Sequence, residues 1–224
     1  MKINYKLHYS FRRFLVDQAL EKIKPALNGV ILDLGGKKNK KRGRFRPPSG
    51  PQISQWVYAN KDTNEEPHVV LDGEKLAFPN ASFNWVICTE VLEYVDNPTR
   101  LMNEVYRVLN HGGRLVLTAP FLFRIHGHDH DLQRLTETKL KSVLTQAGFG
   151  DMTIESQGYY FTVLADFIKM AIAQISSKPI RYLVALFLLP LVLLLAMVDQ
   201  LSAVAKSEFL SSFTTGYFVV AKKL

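Results

Sequence analysis

Two stretches of this 224-residue chain bring together residue types that do chemistry. The first is Val30-Ile31-Leu32-Asp33-Leu34-Gly35-Gly36. An apolar run ends in an acid and then in two glycines. A buried parallel strand delivers its backbone to a nucleotide-like ligand in this way, because glycine turns with φ > 0 and lets main-chain N–H groups approach closely. The dinucleotide fingerprint G-x-G-x-x-G needs glycines that are missing here. The second stretch is His126-Gly127-His128-Asp129-His130-Asp131. A histidine can take a hydroxyl proton with little shift of its pKa. The His/Asp order does not match dinuclear hydrolase spacing, and no second ligand cluster appears elsewhere, so no metal is expected. His126 and His128 stand as candidate bases, against a plain role in loop hydrogen bonds.

The elements that must position these residues alternate. An amphipathic helix over about 9–27 carries Val16, Ala19, Leu20, Ile23 and Leu27 at helical spacing, with Pro25 weakening its last turn. Strands are expected at 30–34, 56–60, 69–72, 85–90, 114–119, 153–160 and 215–221. Asn97-Pro98 opens a helix with stripe Leu101, Val105, Val108 and Leu109, which Gly112-Gly113 is expected to end. Thr136 opens another with Leu140, Val143, Leu144 and Ala147. This alternation argues for an α/β, doubly wound sheet. The histidine cluster follows the fifth strand, at the carboxyl edge where open α/β sheets bind ligands.

The order of motifs resembles the class I S-adenosylmethionine-dependent methyltransferases. Leu32 to Gly36 looks like the family's glycine-rich first motif, and Leu71 to Pro79 like its adenine segment. Ser82 to Val95 is similar to its strand-four motif, and Glu104 to Leu115 to the helix and strand that follow. The loop Pro120 to His128 resembles a subset found in surface-polysaccharide and lipid-linked glycan pathways. The resemblance implies a Rossmann-like seven-stranded mixed sheet with an antiparallel last strand. It implies S-adenosylmethionine as cofactor and in-line attack on its sulfonium methyl. Gly35 and Gly36 would offer their backbone to the methionine part, with Asp33 behind the turn. Asp72 and Gly73 would hold the adenine, and Cys88, Thr89 and Glu90 would line the sulfonium end. Glu93, Tyr94 and Arg134 are candidate acceptor contacts. Two positions depart from the family. Lys37 replaces a glycine, leaving it to pair with the cofactor's carboxylate. Asn60 replaces the ribose-binding acid and grips a diol less well than a carboxylate, with Asp62 as its substitute.

Bulk composition bounds the partners. A formal net charge of +8 favours anionic ones. The cluster Lys37, Lys38, Lys40, Lys41, Arg42, Arg44 and Arg46 reads as a solvated loop, a phosphate clamp or a membrane contact. Only Phe45 interleaves an aromatic ring with it, which argues against nucleic acid. The single cysteine, Cys88, excludes an internal disulfide and fits a reducing compartment. The N-terminus lacks the apolar core of a signal peptide, so the cytoplasm or the inner face of its membrane is expected.

From Tyr182 to Val198 the chain is almost wholly apolar. Its length borders on a span, but the final strand must rejoin the sheet. Pro190 is expected to break or kink the run. A monotopic element over 180–198 dipping into one leaflet is the expectation, against a buried helix or a homodimer interface. The domain organisation expected is a methyltransferase domain, 1–160 plus 213–224, with a helical insertion over 161–212. The expected acceptor is a sugar, a lipid-linked glycan or another small molecule. The alternatives are a methyltransferase acting on a quinone or other small lipid, and a non-catalytic module on the same scaffold.

Overall fold

The computed structural model describes residues 7, 9–38, 43–70, 74–126 and 130–224. In chain order the elements are α1 (Phe11–Ile23), β1 (Gly29–Leu34), β2 (Ile53–Asn60), β3 (Val69–Val70), β4 (Phe83–Thr89), α2 (Pro98–Val108), β5 (Leu109–Pro120) and α3 (Glu137–Gln146). Then come β6 (Phe149–Ser156), α4 (Tyr160–Ala173), α5 (Lys178–Val198), the short α6 (Ser202–Lys206) and α7 (Glu208–Ser211), and β7 (Gly216–Lys223). The strands form one sheet in the order β3-β2-β1-β4-β5-β7-β6. All pairs are parallel except those of β7, which runs antiparallel to both β5 and β6.

Alternation along the central strands explains the three layers. In β4, Val86 and Cys88 join the core under α2 and α3, while Trp85 and Ile87 face the core under α1. β1 splits likewise, Leu32 and Leu34 against Ile31. A strand buried on both faces reads as a continuous apolar run, which is how these segments look in sequence. Strand order reverses between β1 and β4, and that crevice is where such folds bind ligands.

The caps match the sequence chemistry. The Asn97 side chain accepts from the Arg100 N–H at 3.0 Å, and Thr136 Oγ1 from Lys139 N–H at 3.2 Å. Pro25 lies in a single 3₁₀ turn that closes α1. Three expectations are corrected. Gly112-Gly113 does not end α2, which stops at Val108 and passes straight into β5. The ladder with β4 steps from Phe83↔Leu109 to Trp85↔Arg114, so the glycines sit in a bulge, with Gly112 at φ +75°. Pro190 does not break α5, which runs through it as one 21-residue helix. Proline removes one donor there, and the apolar run offers no competing turn. The sixth strand ends at Ser156, and Tyr160 already belongs to α4. Of the third strand, Val69 and Val70 are seen, while Leu71 and Asp72 lie outside the described residues.

Candidate functional site

The carboxyl ends of β1, β2 and β4 bring together Asp33, Gly35, Gly36, Asn60, Thr89 and Glu90. Gly35 takes φ +73°, which a side-chain-bearing residue adopts only under strain. A Cβ on Gly36 would lie 2.4 Å from the Asp33 carboxyl carbon, so glycine lets the turn close over that acid. Asp33 is buried, and Trp56 Nε1 donates to it at 3.4 Å.

The glycine amides do not face a ligand as expected. Gly35 N–H donates to the Ala59 carbonyl at 2.7 Å and Gly36 N–H to the Asp33 carbonyl at 3.2 Å. Asn60 has a different task as well. Its amide donates to the carbonyls of Gly35 and Gly36, at 3.2 and 3.0 Å, and its Oδ1 accepts from Asp62 N–H at 3.1 Å. A carboxylate could not donate to those carbonyls, so the amide staples the turn where an acid would repel it. Asp62 Oδ1 caps the 3₁₀ turn Thr63–Glu65 through Asn64 N–H at 2.9 Å. Lys37 follows the turn, half-buried. Cys88 is fully buried in the core beneath α2 and α3, so its thiol does not line a surface. Asp72, Gly73 and His128 lie outside the described residues.

Glu90 is the hub of the site. It has a left-handed backbone, φ +56°. Its carboxylate is bound by Arg12 through both Nε, at 3.1 Å, and Nη2. Thr118 Oγ1 donates to it at 2.7 Å. Burial would raise this carboxyl, but the Arg12 guanidinium and the Arg12 and Thr118 hydrogen bonds hold it below its ordinary value. Arg12 was not anticipated as a functional residue. It is 2% exposed and also donates to the Thr215 carbonyl at 3.1 Å, tying α1 to the start of β7. A signal was present in sequence: Arg12-Arg13 open a helix, against its dipole, and so call for partners beyond it.

His126 lies further along the same wall, with Glu93 buried behind it. Burial, then the charge of Glu90, push the Glu93 carboxyl up to about 8. Tyr94 is raised to about 12, chiefly by burial. The His126 ring packs edge-on against Tyr94 and Phe123. Arg134 turns its guanidinium to Asp131, with Nη2 at 2.6 Å from Oδ2, and to the Arg124 carbonyl at 3.2 Å. It therefore ties Asp131 to the Arg124 carbonyl beside His126. Its hydrogen bond leads the effects that hold the Asp131 carboxyl near 2. Arg12, Arg13, Glu90, Phe123, His126 and Gln174 line an open cleft of about 400 Å³.

Comparison with known proteins fits this architecture. Residues 52–117, from β2 into β5, match the methyltransferase-domain family. Over 106 residues the chain is 26% identical to sterol 4-C-methyltransferase strm-1 of Caenorhabditis elegans, covering 47% of this chain and 31% of that one. The chain matches about half or less of the length of these curated relatives, 48% of one and 31% of the other. A SAM-dependent methyltransferase from Archaeoglobus fulgidus superposes with TM-score 0.56 at 14% identity, covering 94% of both chains. The [4+2]-cyclase SpnF superposes with TM-score 0.56 at 19% identity, covering 93% of this chain and 80% of that one. The chain thus has a Rossmann-like fold like that of a solved S-adenosylmethionine-dependent methyltransferase, and residues 52–117 match a methyltransferase-domain model.

Proposed function

We propose that this chain transfers a methyl group from S-adenosylmethionine to a hydroxyl-bearing acceptor, a sugar or lipid-linked glycan, at an anionic membrane surface. Methyl transfer is the chemistry that the fold and the family match support. The observation that carries the reading is local. In a chain of formal charge +8, two acids, Asp33 and Glu90, stand at the carboxyl ends of β1 and β4, at the crevice where strand order reverses. An acidic wall suits a ligand with a cationic ammonium and a sulfonium.

The residues present fit such a ligand through their acids and not through the glycine amides. Asp33 and the carbonyl-lined turn held by Asn60 would take its methionine end, and Glu90 would face its positive centre. When bound, this cofactor supplies a methyl group on a leaving group already activated by its charge. The chain's contribution is then position: near-attack geometry can account for much of the rate. His126 is the described histidine placed to take the proton of a hydroxyl acceptor.

The membrane part of the proposal rests on α5. Among the described residues it is the one helix long and apolar enough to cross a membrane. It is not covered by protein. Only Ala185, Val192 and Ala196 are buried, while Leu186 and Phe187 are 70% and 71% exposed. Exposure of this extent argues against a helix buried over the sheet within the chain. Lys178 and Arg181 stand at its start, as basic residues do at a lipid headgroup.

Calorimetry on the full chain in mild detergent tests the enzyme reading. Micromolar binding of S-adenosylmethionine, and of its demethylated product, is expected. Heat from neither at high micromolar ligand overturns it. A radiolabelled methyl donor followed into lipid and glycan fractions then identifies the acceptor class.

A further inference from the structure

A second hollow lies on the other side of α1 from the cleft. It is an open pocket of about 350 Å³, bounded by Phe11, Phe14 and Leu15 of α1 and by Leu193, Ala196 and Met197 near the end of α5. The start of α4 contributes Thr162, and α6 contributes Ala205. The α1 residues of the pocket, with Gln18, recur three and four apart and so share one stripe of that helix. The cleft takes Arg12, Arg13 and Val16, which face the other way. Along α4 the two sites are eight residues apart, Thr162 against Met170, or about 12 Å at the helical rise. The pocket is therefore separate from the place assigned to methyl transfer.

Its walls suit hydrocarbon. Phe11 and Phe14 are each 5% exposed. Asp199 is the one charged side chain among the described lining residues, and both of its oxygens are engaged, by the N–H groups of Tyr159 and Phe161. Gln200 Nε2 donates to the Ala196 carbonyl at 3.0 Å. An ionic ligand group finds no partner here, while apolar area removed from water is stabilising. The volume lies at the small end of ligand pockets, roughly 300–1,000 Å³, which leaves room for one chain and not for a head group with two.

The mouth names the source of that chain. Met197 lines the pocket and is 54% exposed, on the same apolar stripe of α5 as Leu183, Leu186 and Leu194. A hydrocarbon chain leaving a bilayer that touches this stripe reaches the pocket without crossing water. We propose that the pocket holds one acyl chain of a bilayer phospholipid, drawn in beside Met197 between α1 and α5. The inference rests on the membrane reading of α5 and adds to it a defined lipid site, distinct from the acceptor's.

The test uses phosphatidylglycerol vesicles in which the lipid carries a photoactivatable diazirine at the end of one acyl chain. The full chain is bound, irradiated and digested, and the label is mapped to residues by mass spectrometry. Label is expected on two separate segments. One is the exposed face of α5 around Leu186 and Phe187. The other is α1, the pocket's far wall, at Phe14, Leu15 and Gln18. Ala205→Trp, at an exposed position, puts an indole where the chain would lie. It should lower the α1 label about tenfold or more, since two groups cannot share a close-packed volume, and leave the α5 label unchanged. Should that variant not fold, Gln18→Trp blocks the pocket from the α1 side and should lower the label at Phe14 and Leu15 alike.

Label confined to α5, or α1 label that persists in the blocked variant, overturns the lipid site alone. Label on neither segment overturns the membrane reading, and the site falls with it. A dimer in sedimentation that Ala205→Trp dissociates gives the pocket to a second copy of the chain and also overturns the proposal.

Discussion

At the scale of single residues, Arg12 decides more than any side chain of the recognised motifs. It is a buried cation bound to Glu90 and to the Thr215 carbonyl. Gly216 exists to admit it, since a Cβ there would lie 1.8 Å from Arg12 Nη1. Removing one partner of such a pair leaves an uncompensated charge, so Arg12→Met should destabilise the chain by about 3–5 kcal/mol. The urea midpoint measures this, and adding Glu90→Gln should restore part of the loss. A second prediction concerns Glu93, whose folded pKa, about 8, lies above its ordinary 4.5. The folded state binds a proton that the unfolded state releases. The stabilisation is therefore full below about pH 4.5 and lost as pH rises through about 8. Glu93→Gln should match the wild type in melting temperature near pH 5 and exceed it by several degrees near pH 9. Equal melting curves at both pH values would show the carboxyl to be solvated. Asp33, Gly35 and Gly36 were legible in sequence because strand, acid and glycine are contiguous. The Arg12–Glu90 pair was not, because its members are 78 positions apart and only folding joins them.

At the scale of elements, the helices before β7 are joined to the sheet domain by carboxylates at helix N-termini. Asp166, on α4, accepts from the N–H groups of Phe11 and Arg12 at the start of α1, at 2.7 and 3.3 Å. Lys169, one turn on, donates to the Tyr9 carbonyl at 2.9 Å. Asp199, just past α5, accepts from Tyr159 and Phe161 N–H at the start of α4, at 2.6 and 3.0 Å. Each caps a helix from another element and satisfies donors the helix cannot. Asp166→Ala should cost about 1–3 kcal/mol by orphaning two buried amides. Because those amides flank Arg12, it should also loosen the cleft, seen as faster hydrogen exchange at residues 11–14. A stability loss with unchanged exchange there would show that α1 is held by its packing alone. Local caps such as Asn97 and Thr136 could be read from sequence because partner and donor lie within three residues. Gly112-Gly113 could not, since a glycine pair serves a helix stop and a bulge equally, and pairing with β4 chooses.

At the scale of the whole molecule, α5 is about 30 Å long, enough to cross the hydrocarbon layer. Its attachments argue for another arrangement. It packs back along α4, whose Asp166 and Lys169 are buried against α1. Asp199 returns its far end to the start of α4, and β7 lies inside the sheet between β5 and β6. A spanning α5 would pull α4 and these buried charges with it. An in-plane helix keeps them and still places Leu183, Leu186, Phe187 and Leu194 in lipid. Burying each such side chain contributes about 1–2 kcal/mol, so Leu186→Glu with Phe187→Glu should lower partitioning onto anionic vesicles by about 100-fold or more. Co-sedimentation with phosphatidylglycerol vesicles measures it, and weaker binding of the wild type in high salt would trace the share of Lys178 and Arg181. Depth distinguishes the two arrangements. A fluorophore at position 183 or 194, near opposite ends of α5, should report the same shallow depth by lipid-borne quenchers if the helix lies in plane. Different depths, one on each side of the bilayer centre, would mean that α5 crosses and that the cap by Asp199 opens in the membrane.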